Sequence, residues 1–130
     1  MTKDTYNMIT QMIIGAAIDV HRELGPGLLE SVYESCMEEE LKNRGLQVEK
    51  QISIPVIYKG KKLEKEFRID LLIEKEIIVE LKSIEEIKDI HEVQLLTYLK
   101  LADKKLGLLI NFNVSQLTQG VKRKINGDLN

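Results

Sequence analysis

The sequence predicts an α/β fold of the α+β kind, a mixed sheet with helices packed on it. Three observations carry the prediction. Two helical patterns open the chain, three consecutive short runs rich in Ile, Leu and Val follow, and a third helical pattern leads into one last aliphatic run. After the opening helix the order is therefore α-β-β-β-α-β, and a fourth strand returning after a helix implies a sheet of mixed direction.

Met8, Ile9, Met12, Ile13, Ala16, Ala17, Val20 and Leu24 recur at helical intervals, with Asp4 or Thr5 as the expected cap and Gly25-Pro26-Gly27 as the end. The second helix has the stripe Leu29, Val32, Tyr33, Cys36, Met37 and Leu41, with Gly45 suited to the position just past its end. Ile52, Ile54 and Val56 alternate with Ser53 and Pro55, and Pro55 predicts an edge strand or a bulge. Lys59-Gly60-Lys61-Lys62 is a turn, so this strand forms a hairpin with the one beginning near Leu63. Ile90 to Leu101 reads as a helix too apolar for a narrow stripe, hence largely covered, and Leu106 to Phe112 as a buried strand. From Asn113 onward the pattern is polar and basic and assigns no element.

At 130 residues the chain fits one domain, residues 1–130, with 43% hydrophobic and 31% charged residues. No apolar run approaches the roughly 18 residues of a membrane helix, and the N-terminus lacks the pattern of a signal peptide, so no membrane and a cytoplasmic location are expected. The single cysteine, Cys36, excludes an internal disulfide and a multi-cysteine zinc site, and reads as core. A net charge of −2 argues against coating nucleic acid by bulk electrostatics, although Lys59, Lys61 and Lys62, Lys104-Lys105 and Lys122-Arg123-Lys124 form local basic clusters.

Function is sought in Phe67 to Lys82, where ionisable groups interrupt apolar segments. Glu74-Lys75-Glu76 supplies the loop of a hairpin, so residues whose numbers sum to 150 face each other. Asp70 then lies opposite Glu80 and Arg68 opposite Lys82 on one face, while Ile69, Leu71, Ile73, Ile77, Val79 and Leu81 share the other. Like charges at that separation are destabilising, so the pair calls for a cation; the competing reading is a solvated sheet face with Lys82 neutralising a carboxylate. Two carboxylates on adjacent strands suit Mg²⁺, and a lysine on the same face can activate a water or stabilise charge growing on a phosphate. These parts fit phosphodiester hydrolysis. Glu30 enters the apolar face of the second helix and otherwise reads as a first-turn glutamate favoured by the helix dipole.

Asp70, followed after nine residues by Glu80-Leu81-Lys82, resembles the D…E-x-K signature of the PD-(D/E)XK nuclease superfamily. Gln94-Leu95-Leu96-Thr97-Tyr98 resembles the Q-x-x-x-Y motif of its recombination-nuclease branch. His21 to Glu30, Arg68 to Asp70, Val79 to Lys82, Gln94 to Leu99 and Leu108 to Phe112 are similar to the GxxExxxR family within that superfamily. Position 34 departs from it, with Glu where the family label has Arg, and Ile69 replaces the proline of the superfamily label.

The resemblance implies a restriction-endonuclease-like αβββαβ core with an extra N-terminal helix. It further implies a metal-dependent nuclease whose catalytic residues are Asp70, Glu80, Lys82 and Glu30. Metal ligands would be Asp70, Glu80 and the Leu81 carbonyl, and Gln94, Tyr98 and His21 would be supporting groups. The expected cofactor is Mg²⁺, with Mn²⁺ as a substitute. The expected substrate is nucleic acid, DNA first, and a homodimer or a protein partner is left open. A histidine near a helix end is also a common structural residue, which is the alternative for His21. The competing function is a binding or interaction module that keeps the fold without turnover.

Overall fold

The computed structural model describes residues 1–130. Helix α1 (Lys3–Leu24) is capped by Thr2, whose hydroxyl accepts the Thr5 amide hydrogen; the expected caps, Asp4 and Thr5, already lie within the first turn. It ends at Gly25, whose positive φ suits glycine and whose amide donates to the His21 carbonyl. Helix α2 (Glu30–Asn43) buries Tyr33, Met37 and Leu41 at i, i+4 and i+8. Leu29 is left exposed as its cap, outside the apolar stripe expected for it.

The strands follow as β1 (Val48–Tyr58), β2 (Lys61–Ile73) and β3 (Ile77–Lys82); then come α3 (Asp89–Ala102), β4 (Leu106–Asn111), a 3₁₀ turn (Leu117–Gly120) and β5 (Val121–Ile125). They form one sheet in the order β1-β2-β3-β4-β5. β3 and β4 run parallel through the α3 crossover, and the other neighbours are antiparallel, so the sheet is mixed as predicted. β1 is an edge strand, and its register slips between Pro55 and Ile57 where the missing amide hydrogen of proline predicted a bulge. No helix is long and apolar enough to cross a membrane.

One face of the sheet is covered by α1 and α2 in a core that includes Ile9, Ile13, Tyr33, Met37, Leu71, Val79, Leu81 and Phe112. The other carries a smaller cluster of Ile69, Leu72, Ile78, Leu95, Leu99 and Leu109 under α3. Two expectations are corrected here. α3 is not largely covered: Leu95 and Leu99 alone are buried, while Ile90, Val93 and Leu101 are exposed. And Ile69 does not share a face with Leu71. Neither Gln51 nor Asp70 takes part in strand pairing, and Gln51 has a positive φ of 52°, so the ribbon rotates at this step and turns Ile69 toward α3.

Candidate active site

The β2–β3 loop Glu74-Lys75-Glu76 sets the register. Leu71, Leu72 and Ile73 pair with Val79, Ile78 and Ile77, all on the predicted sum of 150. Beyond Leu71 the two strands part, and side chains replace the ladder. The Asp70 amide donates to Glu80 Oε2 at 2.7 Å, and the Leu81 amide donates to Asp70 Oδ2 at 2.8 Å. Each carboxylate thus binds the backbone of the opposite strand at the point of divergence. Arg68 does not pair with Lys82, because the β2–β3 ladder ends at Leu71 and Val79; its strand partner is Ser53 of β1.

Glu80 is 7% exposed and Asp70 half-buried. Burial, followed by the negative charge of Asp70, pushes the Glu80 carboxyl up to about 8. Asp70 is also raised, chiefly by burial, with Glu34 and Glu30 adding repulsion; the Leu81 amide and the Lys82 charge oppose the rise. The half-buried Lys82 makes no direct ion pair with either carboxylate, but its positive field acts on both.

These two carboxylates fit a divalent cation. Two of their four oxygens accept amide hydrogens, and no buried side-chain oxygen is left without a partner, so the remaining two are reachable from solvent. Hard oxygen donors of this kind suit Mg²⁺, which tolerates few protein ligands and keeps its waters. No third His, Cys, Asp or Glu joins them in a metal-binding group.

The other expected residues divide. Glu30 accepts the Ser83 amide at 2.9 Å, and the Ser83 hydroxyl donates to the Leu28 carbonyl, so the start of α2 grips the chain just past Lys82. Glu30 therefore reaches the site's rim, not the carboxylate pair itself. Tyr98 stacks on Phe67 with ring centroids 4.2 Å apart; burial raises its phenol, as do the charges of Glu80 and Asp70. Gln94, one turn earlier on α3, is exposed and has no hydrogen-bond partner. His21 bonds through Nε2 to the Val114 carbonyl at 2.7 Å, tying the end of α1 to the loop after β4, which is the structural alternative.

Two contributors were not foreseen. Asn111, 1% exposed, accepts the Ile84 amide and donates to the Ile84 carbonyl, while the Phe112 amide donates to the Lys82 carbonyl. β4 thereby fixes residues 82–84 from the side opposite Glu30. The signal was a lone amide in an aliphatic run, since such a group must find partners when buried. Glu34 accepts from Gln51 Nε2 through both oxygens and stands first among the negative charges that raise Asp70. It occupies the position where the family label has Arg.

A family model described as PD-(D/E)XK nuclease superfamily matches residues 7–124. The crystal structure of SSO0001 is similar, with a TM-score of 0.56 and 22% identity over 73% of this chain and 48% of that one. The chain thus spans about half the length of that protein, and the likeness is one of fold. No curated protein sequence matches the chain.

Proposed function

Since the chain belongs to the PD-(D/E)XK nuclease superfamily, we propose that it hydrolyses phosphodiester bonds of nucleic acid, DNA in the first instance, with residues 1–130 acting as one nuclease domain. The observation that carries the reading is the crossed pair: two carboxylates at the parting of β2 and β3, each pinned by an amide of the other strand and each disfavoured as an anion by burial.

Asp70, Glu80 and the Leu81 carbonyl would hold Mg²⁺, or Mn²⁺ in its place. The bound ion supplies Lewis acidity and a water of lowered pKa. Lys82, whose positive charge acts on both carboxylates, orients the attacking water, takes up its proton or offsets the charge growing on the phosphate. Glu30 and Asn111 keep the segment after Lys82 in place from two sides. Tyr98, which senses the charges of Glu80 and Asp70, and Gln94, one turn earlier on α3, would support the site. The likeness of His21 to Glu30 and Leu108 to Phe112 supports the GxxExxxR branch. Exposed Ile90, Val93 and Leu101 on α3 support a partner or second copy, and the free thiol of Cys36 suits a reducing cytoplasm.

The test is cleavage of single- and double-stranded DNA and RNA with Mg²⁺ or Mn²⁺. Asp70→Asn is expected to lose activity together with metal binding. Lys82→Met keeps most of the apolar stem, so it should fold, bind Mn²⁺ within about tenfold of wild type, and lose turnover by on the order of 10² or more. A Lys82→Met protein cutting at the wild-type rate would remove Lys82 from the chemistry. A wild type that binds nucleic acid and cuts none would favour the non-catalytic module.

A further inference from the structure

β2 is 13 residues long, yet only Leu71 to Ile73 pair with β3. From Lys61 to Asp70 its sole neighbour is β1, so the two strands leave the sheet as a free ribbon. Ile57, paired with Lys62, lies five residues from Ile52, paired with Ile69, a reach of about 17 Å. Ile57, Tyr58 and Leu63 near the tip are exposed, and the tip turns on Lys59 and Gly60, both at positive φ. Nothing in the hydrophobic core lies there, so its sequence is free of packing demands.

The charges on the ribbon are sorted by face. Ile54 and its partner Phe67 face α3, and by the alternation along β1 the pair Tyr58–Lys61 returns to that face, with Lys59 Nζ over the Tyr58 ring, while Leu63, Glu64 and Lys65 bulge opposite Val56. Glu66 falls on the other face with Lys62 and Arg68. Among its paired positions the α3-side face therefore holds no acid. It runs from Tyr58 and Lys61 to Phe67, which stacks on Tyr98, and Tyr98 senses the charges of Glu80 and Asp70. Ser53 to Arg68 hold five basic residues against two acidic in a chain of net charge −2, and none of the five forms an ion pair.

We propose that the β1–β2 ribbon docks on the phosphate backbone of duplex DNA through the acid-free face at its tip, Tyr58, Lys59 and Lys61, and leads the duplex to the carboxylate pair. This deepens the nuclease reading and rests on it for the direction of travel. A two-stranded ribbon fits the roughly 12 Å major groove of B-DNA but not the narrow major groove of an RNA duplex. Single strands are bound mainly by stacking on aromatic platforms. The ribbon tip offers only Tyr58, with Lys59 Nζ 5.5 Å over its ring.

The experiment is fluorescence anisotropy of a labelled 20-base-pair duplex in EDTA, so that nothing is cut, across a salt series. Lys59→Gln/Lys61→Gln should weaken binding at least tenfold at 0.1 M salt and lower the log–log salt slope by about 1.8, near 0.9 per lost phosphate contact. Lys62→Gln/Arg68→Gln, on the opposite face, should stay within about threefold with its slope unchanged. Thermal melts would verify that both proteins fold. Equal losses in the two variants, no loss in the first, tighter binding of single-stranded DNA or duplex RNA, or no duplex binding by the wild type would each overturn the proposal. The nuclease reading is judged separately, by whether Asp70→Asn abolishes cleavage of any substrate. An active enzyme with a silent ribbon is therefore distinguishable from an inactive fold.

Discussion

A carboxyl group as buried as Glu80, set against a second one, opposes its own ionisation. Its folded pKa, about 8, stands above the ordinary 4.5, so the folded state holds the proton more tightly than the unfolded chain does. That contribution is complete below about pH 4.5 and is lost as pH rises toward 8. In metal-free protein, Glu80→Gln removes the titration while an amide oxygen can still accept from Asp70 N–H. Its stability relative to wild type should climb between pH 5 and pH 8.5 by on the order of a few kcal/mol, read from urea unfolding in EDTA. Saturating Mn²⁺ should erase the climb by stabilising only the wild type. A difference independent of pH would mean that Glu80 carries its charge without cost. The pair itself was legible in the sequence, because a three-residue loop and a period of two fix which residues meet. Glu34 and Asn111 were not assigned roles, since their partners lie far away along the chain: Gln51 is 17 residues from Glu34 and Ile84 is 27 from Asn111.

Among the elements, those with two covered faces or a full apolar stripe announced themselves and the others did not. β3 and β4 are buried almost throughout and read as continuous aliphatic runs, as parallel neighbours do. β5, Val-Lys-Arg-Lys-Ile, was not predicted; it is an edge strand with most of its side chains in solvent, and lysines there also discourage pairing with other chains. α3 misled in the opposite sense. Its count of apolar residues suggested full cover, but it rests on the sheet by Leu95 and Leu99, one turn apart, and little packs against its outer side. The close approach that no pattern reveals is at Gly120, where a Cβ would stand 2.2 Å from the Asn111 carbonyl oxygen. Gly107 looks similar, but its added Cβ would meet the tip of Leu95 at 2.8 Å, a side chain able to move. Gly120→Ala should therefore cost at least about 3 kcal/mol or prevent folding, and disturb the segment that Asn111 holds. Gly107→Ala should cost about 1 kcal/mol. Equal losses in chemical denaturation would mean that the turn before β5 yields as readily as Leu95 does.

At the scale of the whole molecule, burial and charge are unevenly divided. The two cores lie on either side of β2, β3 and β4, whereas the outer ribbon contributes mainly Ile52, Ile54 and Phe67 near its root and surplus positive charge toward its tip. Stability should follow the cores and nucleic-acid affinity the ribbon, because apolar area and phosphate neutralisation are separate sources of free energy. The division can be tested by shortening the hairpin. Pro55 and Glu66 are paired, so a two-residue Asn-Gly turn can replace Val56 to Lys65 without disturbing the strands behind them. The shortened protein loses no fully buried side chain, and its melting temperature should fall by no more than a few degrees, the scale of about 1 kcal/mol in a chain of this size. Asp70, Glu80 and Leu81 keep their hydrogen bonds, so Mn²⁺ should bind as before. Duplex affinity should drop at least tenfold, and cleavage, assayed with DNA well below saturation, should fall in proportion while turnover at saturating DNA changes little. A shortened protein that unfolds, or that loses Mn²⁺ along with DNA, would show that the ribbon supports the fold or the carboxylate pair and is not a separable docking arm.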